Sequence, residues 1–244
     1  MLNHIKLENV LVLDIETVPQ VSRYVDMPEN FKPFWKKKAA QVIKEDAELA
    51  DEEGYFDYAG IYAEFGKIIC ISVGAYVEDK DTGNQTLRIK SFYGKDEKKV
   101  LNEFFSLLNL KYHDLKKHAL CGHNIKEFDV PYICRRALVN GLRLPKILDI
   151  GGLKPWEVNN IDTLQLWKFG DYKNYTSLNL LANIFGIPTP KDDIDGSMVA
   201  DVFWNQNDLE RIRTYCQKDV LTTAQLLLKY KGLPLISDEE VIVV

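Results

Sequence analysis

The sequence is poor in residues that cross-link a fold or build a soft metal centre: its 244 positions hold four cysteines and four histidines. Cys70, Cys121, Cys134 and Cys216 are widely spaced, with no Cys-x-x-Cys pair. Three of them lie inside apolar segments, where a free cysteine behaves as a small hydrophobe. That pattern excludes a disulfide framework and a zinc knuckle. His4, His113, His118 and His123 show no metal-ligand spacing either. No apolar run approaches the ~20 residues that span a bilayer, so no membrane association is expected. The opening MLNHIKLENV lacks the basic-then-apolar pattern of a secretory signal, and a cytoplasmic location is the expectation. Basic charge is not in excess: 31 Lys and Arg against 36 Asp and Glu leave a net charge of −5. A broad basic face that coats nucleic acid is thereby excluded, whereas a local groove is not. Repeats, low-complexity tracts and linkers are missing as well.

What remains is an ordinary globular composition, 46% hydrophobic and 27% charged. A chain this long buries a substantial core. Without a linker it reads as one domain over residues 1–244, a mixed α/β fold with a central sheet flanked by helices. Residues 6–14 read as a first strand. A helical insertion follows at about 20–60, including a predicted helix from Gln41 to Glu53. Lys67–Val77 and Leu87–Tyr93 form a strand pair across the turn Asp81-Thr82-Gly83-Asn84. Apolar residues at helical spacing mark Glu97–Leu110, Val130–Asn140, Ser177–Phe185 and Leu209–Lys229 as helices, with short strands at Ala119–Gly122 and from Ile161. A short, frayed C-terminal tail is expected from about 231.

Asp14-Ile15-Glu16 follows Val10-Leu11-Val12-Leu13 directly, at the predicted end of a buried strand. Side chains alternate along a strand, so residues 14 and 16 share a face. Two adjacent carboxylates repel and raise each other's pKa unless a cation intervenes, and Mg²⁺ favours one or two carboxylates plus waters and substrate phosphates. The spacing recurs at Asp46/Glu48, Asp51/Glu53 and Asp238/Glu240, but in polar stretches that read as solvated surface. The pair by itself fits a metal site and a chance placement at a sheet edge equally well.

Two further segments point the same way. Asn124-Ile125-Lys126-Glu127-Phe128-Asp129 lies between a short strand and a helix, and Val130-Pro131 after it make Asp129 a candidate N-cap as much as a ligand. Tyr215 and Asp219, the only Tyr-x-x-x-Asp among 12 tyrosines, share one face of the longest helix. Asp219 sits at the edge of an apolar stripe, where a carboxylate is costly without a partner or metal. Asp162, before Thr163, reads better as a helix cap than as a further ligand.

Taken in order, Asp14-x-Glu16, Asn124-x-x-x-Phe128-Asp129 and Tyr215-x-x-x-Asp219 resemble the three motifs of DEDD-type 3′–5′ exonucleases of the tyrosine subclass. The form of the second motif, followed by Val130-Pro131-Tyr132, is most similar to the proofreading domain of family B DNA polymerases. The histidine subclass would carry His five residues before the last Asp, where this chain has Thr214. The resemblance spans roughly residues 8–230 and implies a ribonuclease H-like fold in a stand-alone relative. It implies two divalent cations, Mg²⁺ or Mn²⁺, held by Asp14, Glu16, Asp129 and Asp219, with Tyr215 orienting the attacking water. Thr17, Asn124 and Phe128 are the candidate contacts to the terminal nucleotide. The implied substrate is single-stranded DNA, with RNA trimming of ribonuclease D type as the rival and an inactive nucleic-acid-binding relative as the alternative from another class. Protein partners are left open. Two patches interleave rings with lysines, Phe31–Lys38 and Lys168–Lys173; each fits an ordinary amphipathic surface at least as well as a groove for a single strand.

Overall fold

A computed structural model describes residues 2–43, 51–78, 85–171, 175–188 and 194–244. Along the chain it forms β1 (Val10–Pro19), α1 (Lys32–Val42), α2 (Asp51–Tyr58), β2 (Gly66–Glu78), β3 (Gln85–Tyr93), α3 (Glu97–Lys111), β4 (Ala119–Gly122), α4 (Asp129–Val139), β5 (Ile161–Asp162), α5 (Thr163–Lys168), α6 (Leu178–Phe185), α7 (Val199–Trp204), α8 (Leu209–Lys231) and β6 (Val241–Val243). The strands make one sheet in the order β5-β4-β1-β2-β3-β6. β1 and β3 run antiparallel to β2, while β4, β5 and β6 pair in parallel with their neighbours. This is the mixed α/β sheet flanked by helices that the sequence pattern predicts, and the ribonuclease H-like fold that the resemblance implies.

β1 shows how the sequence positions the site. A continuous apolar run is what a strand buried on both faces requires, and alternation sorts its side chains between two cores. Leu11, Leu13 and Ile15 pack with Phe104 of α3 and with Val130 and Ile133 of α4. Val10 and Val12 pack with Val220, Ala224 and Leu227 of α8. Asp14 and Glu16 continue the second series, so they face α8. A register shift falls between Glu16, opposite Cys70, and Thr17, opposite Ile68. β2 thus carries one extra residue, Ile69, and this bulge sits beside the acids, where bulges re-aim side chains.

α8 lies close over β2 because Gly74 has no side chain: a Cβ there would meet Val220 Cγ1 at 2.8 Å. Val220 follows Asp219, so this close approach sets the depth of the third motif. On the other side of the sheet, Glu97 opens α3 as a buried acid. It accepts from Arg136 Nε (2.8 Å) and Nη2 (2.6 Å), from the Ile68 amide (2.7 Å) and from Asn140 Nδ2 (2.8 Å). Arg136 Nη1 also donates to the Ala63 carbonyl at 2.9 Å. The pair ties α3, α4 and the start of β2 together.

The predicted insertion occupies the β1–β2 connection and has its own small core of Met27, Trp35, Ala39, Tyr55, Ala59 and Phe65. Trp35 meets Tyr55 and Phe65 edge-on, with centroids 5.3 and 5.2 Å apart. Residues 44–50 of the predicted Gln41–Glu53 helix lie outside the described residues, as does the turn Asp81–Asn84.

Three expectations are corrected. β1 does not end at the acids: its ladder to β2 continues to Pro19, opposite Gly66, so Asp14 and Glu16 sit inside a strand. Local propensity argues against acids in a strand, and pairing overrides it. Asp129 is not an N-cap: Phe128 holds that position without a side-chain bond, and Asp129 is the first residue of α4. The C-terminal end is not frayed: Val241–Val243 pair with Leu87–Ile89 and cover the open edge of β3.

Candidate active site

Three separate chain segments converge along the N-terminal half of α8. β1 supplies Asp14 and Glu16. The β4–α4 loop supplies Asn124, Phe128 and Asp129. Its tight path requires Gly122, since a Cβ would lie 2.7 Å from the Ile125 Cβ. It also requires a residue that tolerates the left-handed region at 124, where φ is +67°, and Asn does so at low cost. The Asn124 carbonyl then accepts from the amides of Glu127 (3.1 Å) and Phe128 (3.0 Å), turning the chain into α4.

Asp162 anchors this loop from the neighbouring strand. As expected, its carboxylate caps α5 through the amides of Leu164 (3.0 Å) and Gln165 (3.2 Å). It also accepts from the amides of Asn124 and Lys126, both at 3.1 Å, so one buried carboxylate fixes the start of two helices. On α8, Tyr215 and Asp219 lie one turn apart on the same helical face.

These residues line one cleft of about 470 Å³. Asp14, Glu16, Asn124, Phe128, Asp129, Tyr215 and Asp219 all form its wall, together with Ile61, His123, Tyr175, Ser177, Leu178 and Asn179. Thr17 is the one predicted residue that does not line it. Of the patch Lys168–Lys173, Tyr172 and Lys173 lie outside the described residues.

The electrostatics are those of a site built for positive charge. Burial raises Asp14 well above the usual carboxylate range, and Asp219 and Asp129 raise it further. Burial, then Asp14 and Asp219, do the same to Glu16. Asp129 is pushed up to about 7 by burial, with Asp162 and Asp219 adding to it, while the amides of Asp129 and Ile15 pull it back. Burial and the same acids raise Tyr215, which stays a protonated donor. Carboxylates at this density are costly to bury as anions, and a divalent cation is the group that relieves the conflict.

The donor set fits such an ion. Among the described residues, ligand atoms of Asp14, Glu16 and Cys216 come within 4.8 Å of one another. Mg²⁺ prefers oxygen to sulfur, and Cys216 has another role in view. Its thiol donates to Asp14 Oδ2 at 3.3 Å, and burial holds that thiol protonated. Cys216 therefore orients the Asp14 carboxylate.

A pH dependence follows. The Asp129 carboxyl keeps its proton up to about pH 7 in the folded chain but only to its ordinary 3.8 when unfolded. Between those values the folded state binds more protons, so this group's contribution to metal-free stability is lost as pH rises through the window. His123, lowered by burial, acts in the opposite sense, so the informative quantity is a difference. In EDTA, Asp129→Asn should gain on the wild type by about 5 °C or more in Tm between pH 5 and pH 8, since 1 kcal/mol is worth ~2–4 °C in a chain this size. A constant offset across that range would contradict the assignment.

Sequence reasoning missed Cys216, to which it gave no role, and the α6 side of the cleft. His123 bridges Thr163 Oγ1 (3.0 Å) and the Thr176 carbonyl (2.9 Å), holding that side in place. Ser177 caps α6 by accepting from the Leu180 amide. Its Ser-then-apolar pattern marks the helix start, but nothing local marks the cleft.

Comparison with known proteins accords with this geometry. Residues 61–238 match the family described as predicted 3′–5′ exonucleases related to the exonuclease domain of PolB. The match includes the second and third motifs and leaves Asp14 and Glu16 outside. No curated protein matches the sequence. Among solved structures, the family B DNA polymerase of the hyperthermophilic archaeon Pyrobaculum calidifontis shares the fold, with a TM-score of 0.55 and 16% identity over 91% of this chain. The chain spans 24% of that polymerase chain.

Proposed function

The chain belongs to the family of predicted 3′–5′ exonucleases related to the exonuclease domain of PolB, and from that premise we propose that it hydrolyses single-stranded DNA from the 3′ end, releasing nucleoside monophosphates. We take residues 1–244 as one such domain, carrying the insertion between β1 and β2. The observation that carries the reading is the convergence of four carboxylates and a tyrosine, from segments up to two hundred residues apart, on one cleft. Two divalent cations, Mg²⁺ or Mn²⁺, held by Asp14, Glu16, Asp129 and Asp219, would neutralise these carboxylates and polarise the scissile phosphodiester and the attacking water.

The chain's own groups do the rest. The Tyr215 hydroxyl, kept protonated beside Asp219, holds and orients a water rather than deprotonating it. Phe128 offers its ring to the terminal base. The Asn124 amide offers a donor and an acceptor to the terminal sugar or phosphate. Thr17, next along β1 from Glu16, lies outside the wall of the cleft and is not among the contacts proposed for that nucleotide. Ile61 and Leu178 present apolar wall to the cleft, which strengthens each polar contact inside it.

The test uses 5′-labelled single strands of DNA and RNA of the same sequence, each incubated with Mg²⁺, with Mn²⁺ and with EDTA. A ladder shortening from the 3′ end, faster on DNA and lost in EDTA, is expected. Products formed in EDTA would refute the metal-dependent reading. Faster RNA trimming would select the ribonuclease D-type alternative, and binding without hydrolysis the inactive relative.

A further inference from the structure

We propose that the groove between α1 and segment 61–65 guides the single strand 5′ of the nucleotide being removed, an inference that rests on the exonuclease reading. α1 turns Trp35 and Ala39 into the insertion's core. Its outer side presents Phe31, Phe34, Lys37, Lys38 and Gln41, which face Glu64 and Phe65 across a groove of about 440 Å³. Phe34 is 66% exposed and Phe31 42%. Lys32–Val42 contains four lysines and no acid, in a chain of net charge −5. Among the described residues, Lys36 and Lys37 form no ion pair. Exposed rings beside unneutralised lysines are what a flexible polyanion with stackable bases recognises; a protein partner would need no such run of one sign.

One short segment borders both the groove and the proposed catalytic cleft. Ile61 walls that cleft, and three residues on Glu64 lines the groove. Between them, the Tyr62 ring carries Lys38 Nζ at 4.1 Å from its centroid. A strand whose 3′ end sits at Phe128 would leave past Ile61, meet the Tyr62–Lys38 pair and stack on Phe34. Lys37 lies beside it to contact phosphate.

The test is fluorescence anisotropy of a fluorescein-labelled single-stranded DNA 12-mer in EDTA, which stops hydrolysis, over a range of salt. Phe34→Ala should weaken binding about tenfold, the effect of losing one stacked base. Lys37→Ala should reduce the slope of log affinity against log salt by about 0.7, one phosphate contact to a single strand. Lys98→Ala, the same charge change on exposed α3 surface, should alter neither. Equal affinities and slopes for wild type, Phe34→Ala and Lys37→Ala would overturn the groove, as would a Lys98→Ala effect as large as that of Lys37→Ala. The same 12-mer with Mg²⁺ tests the exonuclease reading separately: wild type that shortens it while the groove variants bind normally removes only this inference. Wild type that binds through Phe34 and Lys37 without shortening the strand removes only the activity.

Discussion

Asp14→Asn and Asp219→Asn each lose ~10³-fold or more of the 3′-end hydrolysis, because a misplaced cation forfeits several kcal/mol of charge stabilisation and each 1.36 kcal/mol is a factor of ten. Asparagine keeps the shape of the carboxylate, and at residue 14 it still accepts from the Cys216 thiol. The loss is therefore one of charge. The same substitutions should leave the metal-free protein at least as stable as the wild type. Each removes an acid that raises its neighbours: Asp219 acts on Asp14, Glu16 and Asp129. Opposite signs for activity and stability are the signature of a site that is strained without its ions. Initial rates on a labelled strand, paired with Tm in EDTA, check both. An Asp219→Asn rate within tenfold of wild type would sink the assignment, and a lower Tm in EDTA would show that Asp219 holds the fold instead.

The second large effect concerns stability. Arg136→Met should cost ~3–5 kcal/mol, or ~10 °C in Tm, by leaving the Glu97 carboxylate buried without its cation. Side-chain exposures of 4% for Arg136 and 7% for Glu97 leave little water to compensate. Two of the five contacts would survive, from the Ile68 amide and Asn140, and neither carries charge. The double variant Glu97→Gln with Arg136→Met should recover part of the loss, since removing both charges costs less than stranding one. Urea unfolding of the two single variants and the double one measures this. A double variant less stable than the sum of the singles would reject the buried-pair account.

The fold class and most elements were legible because they follow from local pattern. The apolar spacing of α3 and α8 and the small β4 strand emerge with boundaries shifted by no more than a residue or two, whereas β1, expected over 6–14, runs Val10–Pro19. Helix stops at Gly141 and Gly186 carry the positive φ that glycine accepts readily. The three motifs were legible because strand alternation and helical i, i+4 spacing fix which side chains share a face. Asn124 was legible only in part: its place in a motif was visible, but not that a left-handed turn also demands such a residue. The frayed-tail reading of Val241–Val243 failed because an edge strand is defined by its partner, β3, about 150 residues earlier.

By itself, then, the sequence determined which residues carry charge, which faces of each element are apolar and in what order the candidate ligands arrive. Tertiary structure alone decided that Asp14 and Glu16 lie within a strand, that Cys216 bonds Asp14, that Asp162 clamps the loop bearing Asp129, and that Thr17 stands apart from the cleft. The physical reason is one of range. Periodicity and capping act over a few residues, whereas burial and charge coupling depend on neighbours brought close only when the sheet and its helices pack.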